Sequence, residues 1–135
     1  MFNVVKIISS GSNVPDCQRM LTNSSENYKV GTALILTAGR LVNATSTSKP
    51  QYIAAESAEA GKRQTLVCYP VTPNMIFEVP VAGVPASVKA GTKITLSVNG
   101  GFADRVGTST TDGVATVVDT RGATKNGDKI LVKFD

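Results

Sequence analysis

The residues that could carry chemistry are few and far apart. The chain has 135 residues, two cysteines, ten carboxylates and no histidine. Without histidine the commonest general base is missing, and neither a Ser-His-Asp nor a Cys-His arrangement can be assembled within the chain. Cys17 and Cys68 are too few and too widely spaced for a zinc site, which needs four closely grouped ligands. They read as small buried hydrophobes, with a disulfide between them left open. The carboxylates do not cluster. Glu56 and Glu59 fall on one short segment, and Asp104, Asp112, Asp119 and Asp128 fall where loops and turns are expected, positions that favour aspartate for its local hydrogen bonds. No stretch has the alternating acidic ligands of a calcium loop, and no glycine-rich phosphate cradle precedes a helix. This inventory predicts a protein that is not an enzyme and holds no metal or cofactor.

Net charge is +4. The basic residues are dispersed, and the longest basic run is Lys62-Arg63. Direct nucleic-acid binding calls for a clustered stripe with interleaved aromatics, which this pattern lacks, so the charge suits an acidic protein surface better. The opening MFNVVKIISSG carries a short apolar run with a lysine inside it, not the apolar centre of a signal peptide. No segment approaches the ~20 apolar residues of a membrane-spanning helix. The expectation is a chain made in the cytosol, with no membrane partner.

The elements that must position these residues are strands. Val and Thr are abundant, Trp is absent, and 12 glycines with six prolines supply turns. Glycines at 31, 61, 91 and 127 each follow a polar or small pair and open an alternating run. Positions three, five and seven past each glycine are Leu34, Leu36, Ala38; Gln64, Leu66, Cys68; Ile94, Leu96, Val98; and Ile130, Val132, Phe134. All but Gln64 are apolar, the pattern of strands with one buried face, and Gln64 implies that its strand starts a little later. The segments between do not resemble one another, so a strand-entry device recurs and not a stacking repeat. Asn99-Gly100-Gly101, Asp112-Gly113 and Asn126-Gly127 are hairpin or turn signals, as is Ala38-Gly39.

Two segments stand apart. Residues 1–28 hold one strand candidate, Val4-Val5-Lys6-Ile7-Ile8, followed by a polar stretch broken by Gly11 and Pro15, which reads as an extended N-terminal arm. Residues 69–88 hold four of the six prolines, at 70, 73, 80 and 85, and read as an edge strand or extended crossing. The apolar run inside it, Met75-Ile76-Phe77-Glu78-Val79, either covers the core or forms an exposed strip for a partner. Residues 54–60 have room for one helical turn. The fold predicted is all-β: a small β-barrel or sandwich of short antiparallel strands with an N-terminal arm over 1–28 and a β domain over 29–135, alternatively divided as 29–88 and 89–135.

One stretch also carries a resemblance. Gly31 and Leu34, Gly39-Arg40-Leu41-Val42, Pro50-Gln51-Tyr52-Ile53-Ala54 and Glu59-Ala60-Gly61 resemble the turn-and-strand pattern of capsid decoration, or cement, proteins of tailed bacteriophages. The ending Asn126-Gly127-Asp128-Lys129-Ile130-Leu131-Val132 is similar to a strand those proteins use. The resemblance spans residues 29–70 and, more loosely, 89–135; the proline-rich segment has no counterpart. The stretch AGTKITLSVNGGFADRVGTSTTDGVATVV also looks like a bacterial immunoglobulin-like module. The first resemblance implies a structural virion protein on the outer capsid surface, bridging neighbouring major capsid proteins and acting as a monomer or trimer. Capsid contacts are then expected from the arm (Val4, Ile7, Met20, Leu21) and the apolar strip (Met75, Ile76, Phe77, Val79). The other reading is a fibre, tail or carbohydrate-binding module, the last requiring an exposed ring among Tyr28, Tyr52 and Tyr69.

Overall fold

The structure, a computed structural model, describes residues 1–8 and 14–135. Among the described residues there are twelve strands: β1 Asn3–Ile7, β2 Gln18–Leu21, β3 Ala33–Thr37, β4 Arg40–Asn43, β5 Tyr52–Ala54, β6 Thr65–Pro70, β7 Met75–Pro80, β8 Lys93–Ile94, β9 Leu96–Asn99, β10 Phe102–Val106, β11 Ala115–Asp119 and β12 Lys129–Lys133. One five-stranded sheet has the order β1-β7-β12-β11-β8, a second β2-β6-β5-β3-β4, and β9 and β10 form a ribbon. The ladders are antiparallel throughout.

Alternation along the strands decides how the layers stack. On β7, Met75, Phe77 and Val79 are buried and Ile76 and Glu78 are half-buried. The buried row joins Ile130, Val132 and Phe134, then meets Ala33, Ile53 and Tyr69 of the second sheet and Leu96, Ala103 and Val106 of the ribbon, making one main core. The second sheet is apolar on both faces. Ala33 and Ile53 look into the main core, while their neighbours Leu34 and Ala54 join Tyr28, Leu41, Leu66 and Cys68 in a second cluster. Phe2 anchors the start of the chain, with its ring centroid 6.0 Å from Phe77 and 5.7 Å from Phe134 in edge-on contacts. Such pairs contribute ~0.5–1.5 kcal/mol each beyond the area they bury.

The recurring entry device takes the backbone form its glycines imply: φ is +79° at Gly31, +72° at Gly61, +88° at Gly91 and +89° at Gly127. The Ala38-Gly39 turn joins β3 to β4 with both residues at positive φ, 50° and 76°, and pairs Thr37 with Arg40. That twist matches the flanking strands, which is why two-residue hairpins use it. Gly100-Gly101 does the same between β9 and β10. The strand after Gly61 begins at Thr65, one residue past the exposed Gln64.

Several expectations are corrected. No sheet closes into a barrel among the described residues. The second sheet curls until its two edges meet at one bridge, Thr22 to Leu41, and the ladder goes no further. The strand expected at residues 4–8 is β1, paired with β7, but the stretch after it does not run as a free arm: it supplies β2, paired with β6 in the other sheet. Residues 9–13 of that stretch lie outside the described residues. The proline-rich segment supplies an interior strand, since β7 is flanked by β1 and β12. Pro70 and Pro80 end β6 and β7, and Pro73 lies between them, so the ladder is bracketed and not interrupted. Residues 54–60 form no helix; Ala58 bridges to Tyr28 instead. The β7–β12 ladder also runs across the alternative division at residue 88.

Candidate functional site

Of the eight residues expected to touch a capsid, the fold turns most inward. Met75, Phe77 and Val79 are buried in the main core. Val4 and Ile7 are partly buried against it, and Met20 is partly buried against the second cluster. Ile76 is half-buried on the outer face of β7, and Leu21 is 48% exposed. The apolar strip therefore belongs to the core-covering reading for its Met75, Phe77 and Val79 row. A side chain that fills a core cannot also grip a partner while the fold stands. Six of the eight lie on the paired strands β1 and β7, with Val4 opposite Phe77 and Ile7 opposite Met75, while Met20 and Leu21 lie on β2 in the other sheet.

The most heavily buried charge is Asp104, which is 3% exposed. It is not at a loop but within β10, where the register against β9 shifts between Ala103 and Arg105. Its carboxylate takes hydrogen bonds from Lys29 Nζ at 2.9 Å and Arg105 Nε at 3.0 Å. The Met1 ammonium donates to its backbone carbonyl. Burial pushes the Asp104 carboxyl up, but the hydrogen bonds and charges of Lys29 and Arg105 outweigh it and hold the group below the usual carboxylate range. With both oxygens occupied by cations, this carboxylate is an acceptor at a junction and not a base. Its position joins the entry to β3, the ribbon and the chain start.

Both cysteines are free thiols, Cys17 exposed and Cys68 buried, and burial pushes the Cys68 thiol up to about 11. No group of three metal-ligating side chains occurs among the described residues. Tyr28 and Tyr69 are buried and Tyr52 is half-buried, so no tyrosine offers an open platform for a sugar ring. The Tyr28 hydroxyl donates to Leu41 O at 2.6 Å and accepts from Asn23 N–H, which gives it a structural task.

One surface feature does assemble residues that are scattered in sequence. At the seam where β2 meets β4, an open cleft of about 580 Å³ is lined by Leu21, Thr22, Ser24, Arg40, Gly61, Lys62, Arg63 and Gln64. The Thr22 hydroxyl donates to Arg63 O, and Thr22 N–H to Gln64 O at 3.0 Å, fixing the end of β2 to the entry of β6. Arg40 Nη1 donates to Thr22 O at 2.9 Å from the other side. Arg63 pairs with Glu56 at 2.9 Å. Sequence reading missed this cluster because only the Lys62-Arg63 pair is adjacent; the curl of the sheet brings Arg40 to it.

No family model matches the chain, and no curated protein matches it. Among solved structures, it is similar to the head fiber gp8.5 N base of bacteriophage phi29, with a TM-score of 0.55 at 15% sequence identity, over 89% of this chain and 95% of that one. At that identity the likeness is one of fold: this all-β arrangement of short antiparallel sheets is shared with the base of a phage head fiber.

Proposed function

We propose that this protein is a structural component of a phage virion that sits on the outside of the head, binds the assembled shell and stabilises contacts between major capsid proteins. The observation that carries the reading is the likeness of fold, over nearly the whole chain, to the base of a phage head fiber. The absence of any clustered catalytic or metal-ligating side chains among the described residues agrees with a binding role. Many copies on one shell act together, so a modest area per contact suffices through avidity. The test is to mix the purified protein with heads that lack it. Stoichiometric co-sedimentation and a higher temperature of DNA release support the reading. Heads equally stable with and without it, and virions that never contain it, overturn it.

A second reading is favoured by the same likeness: the domain serves as the base that roots an appendage on the head. Heads lacking the protein would then keep their stability and lose a projecting fibre, which negative-stain microscopy distinguishes directly.

A further inference from the structure

We propose that the seam between β2 and β4 is a docking site for an acidic, extended segment of a partner protein. Three features of the seam converge on that chemistry. The first is charge. Arg40, Lys62 and Arg63 surround the cleft, and no carboxylate lines it. Arg63 is paired with Glu56, but among the described residues no carboxylate pairs with Arg40 or Lys62. Arg19 stands two residues before Leu21 on β2, so its exposed side chain emerges on the same face. Unneutralised cations gathered on one face draw and orient an acidic partner.

The second feature is an open strand edge. Ala55 N–H donates to Val67 O at 2.9 Å and Val67 N–H donates to Glu56 Oε1 at 3.0 Å, so the backbone of Val67 is committed toward β5. Arg19 stands opposite Val67 in the β2–β6 ladder. In an antiparallel pair, a residue facing such a position turns its own N–H and C=O away from the ladder. Arg19 therefore presents both groups outward. The other edges of the two five-stranded sheets are managed: β1 carries a register shift at Val5, β8 has two residues, and the Tyr28 hydroxyl occupies Leu41 O on β4. The β2 register runs without a shift. An added strand takes its affinity from such main-chain groups.

The third feature is Leu21, which belongs to both the edge and the cleft and leaves 48% of its surface exposed between the cations. A peptide strand can use all three features. A nucleic acid backbone carries phosphate acceptors but no N–H to donate to the Arg19 carbonyl, and no aromatic residue lines the cleft to stack a base. This inference rests on the head-surface reading for where the partner sits, namely an acidic segment on the capsid exterior, but not for the chemistry of the seam.

The experiment has two arms. In the first, a short poly-glutamate peptide is titrated into the labelled protein and amide shifts are followed by NMR. Shifts confined to residues 18–22, 40 and 61–64, and lost in the double variant Arg40→Glu/Lys62→Glu, support the site. Shifts that are absent, spread over the surface, or matched by a DNA oligonucleotide overturn it. In the second arm, heads lacking the protein are mixed with the wild type, the double variant, Arg19→Pro and the control Lys89→Glu. The double variant and Arg19→Pro should each bind at least about tenfold more weakly, with the control within about twofold. Circular dichroism and thermal melts of every variant separate binding loss from unfolding. Folded variants that bind heads like the wild type overturn the seam while leaving the head-surface reading intact. A wild type that ignores heads overturns that reading, and the peptide arm then decides the seam alone.

Discussion

Lys29 and Asp104 are 75 residues apart, yet the Lys29 ammonium lies 2.9 Å from the Asp104 carboxylate. The pair joins the approach to β3 to the shifted register of β10, with Arg105 completing the acceptor's second oxygen. Lys29 is half exposed and can be resolvated, so the stake lies mainly with the buried carboxylate.

Asp104→Asn should therefore destabilise the fold by about 1–3 kcal/mol, the range for leaving buried polar partners poorly matched. The pH dependence follows from the direction of the shift. A carboxyl held below its unfolded value of 3.8 stabilises fully above that value and loses its contribution as pH falls through the lower folded value. Thermal melts should be insensitive to this group near neutrality, and the wild type should lose more stability than the variant on acidification below about pH 4. Equal acid slopes in the two proteins would show that Asp104 carries no such load.

Glycine 113 and glycine 127 should respond differently to the same change. A Cβ on Gly113 would lie 2.5 Å from the carbonyl carbon and oxygen of Lys93, backbone atoms that cannot step aside cheaply. Gly113→Ala should cost about 1–3 kcal/mol or more through overpacking between β8 and β11. Around Gly127 a Cβ meets nothing within 4 Å, and the cost comes only from its φ of +89°. Gly127→Ala should cost about 1–2 kcal/mol, as for other L residues forced left-handed. Urea denaturation midpoints compare the two, and the idea fails if Gly113→Ala is the milder change.

Along β7 the alternation of burial should appear directly in stability. Phe77 is fully buried among Phe2, Tyr69 and Phe134, and Phe77→Ala should cost about 3–5 kcal/mol. The half-buried Ile76 should cost about 1–2 kcal/mol when cut to alanine. A Phe77→Ala protein of undiminished stability would return that ring to the surface as a contact residue.

The two thiols should also be told apart by reagent access. Cys17 is exposed, whereas Cys68 is buried with its thiol pushed up to about 11, so it holds little thiolate near pH 8. A thiol reagent should modify one cysteine per native chain rapidly and the second only on unfolding. Mass spectrometry of the labelled peptides identifies which; rapid native labelling of both would contradict the burial of Cys68.

Much of the local construction was legible because it depends on neighbours in sequence. The glycines at 31, 61, 91 and 127 announce positive φ, and Gly100-Gly101 announces a hairpin, since few other residues adopt those backbones cheaply. The buried positions Leu34, Leu66, Cys68, Ile94, Leu96, Ile130, Val132 and Phe134 follow from a period of two. It failed in two places: Ala38 lies past the end of β3 in the turn, and Val98, though within β9, is 44% exposed because the two-stranded ribbon leaves that end uncovered. The prolines of residues 69–88 misdirected the reading because composition alone does not say whether they bracket a strand or interrupt it.

Which apolar residues reach the surface was the least legible feature, for a reason of geometry. A sequence shows which residues alternate but not which row finds a second layer. That choice buried Met75, Phe77 and Val79, left Leu21 outside, and placed Asp104 beneath Lys29 and Arg105. By itself the sequence determined an all-β chain with its turns, its buried periodicity and its lack of histidine-based chemistry. Only the tertiary structure decided that β1 and β2 enter different sheets, that β7 is interior, and that Arg40 meets Lys62-Arg63. Strand pairing is a long-range contact, fixed by which apolar faces bury each other and not by any neighbour in the chain.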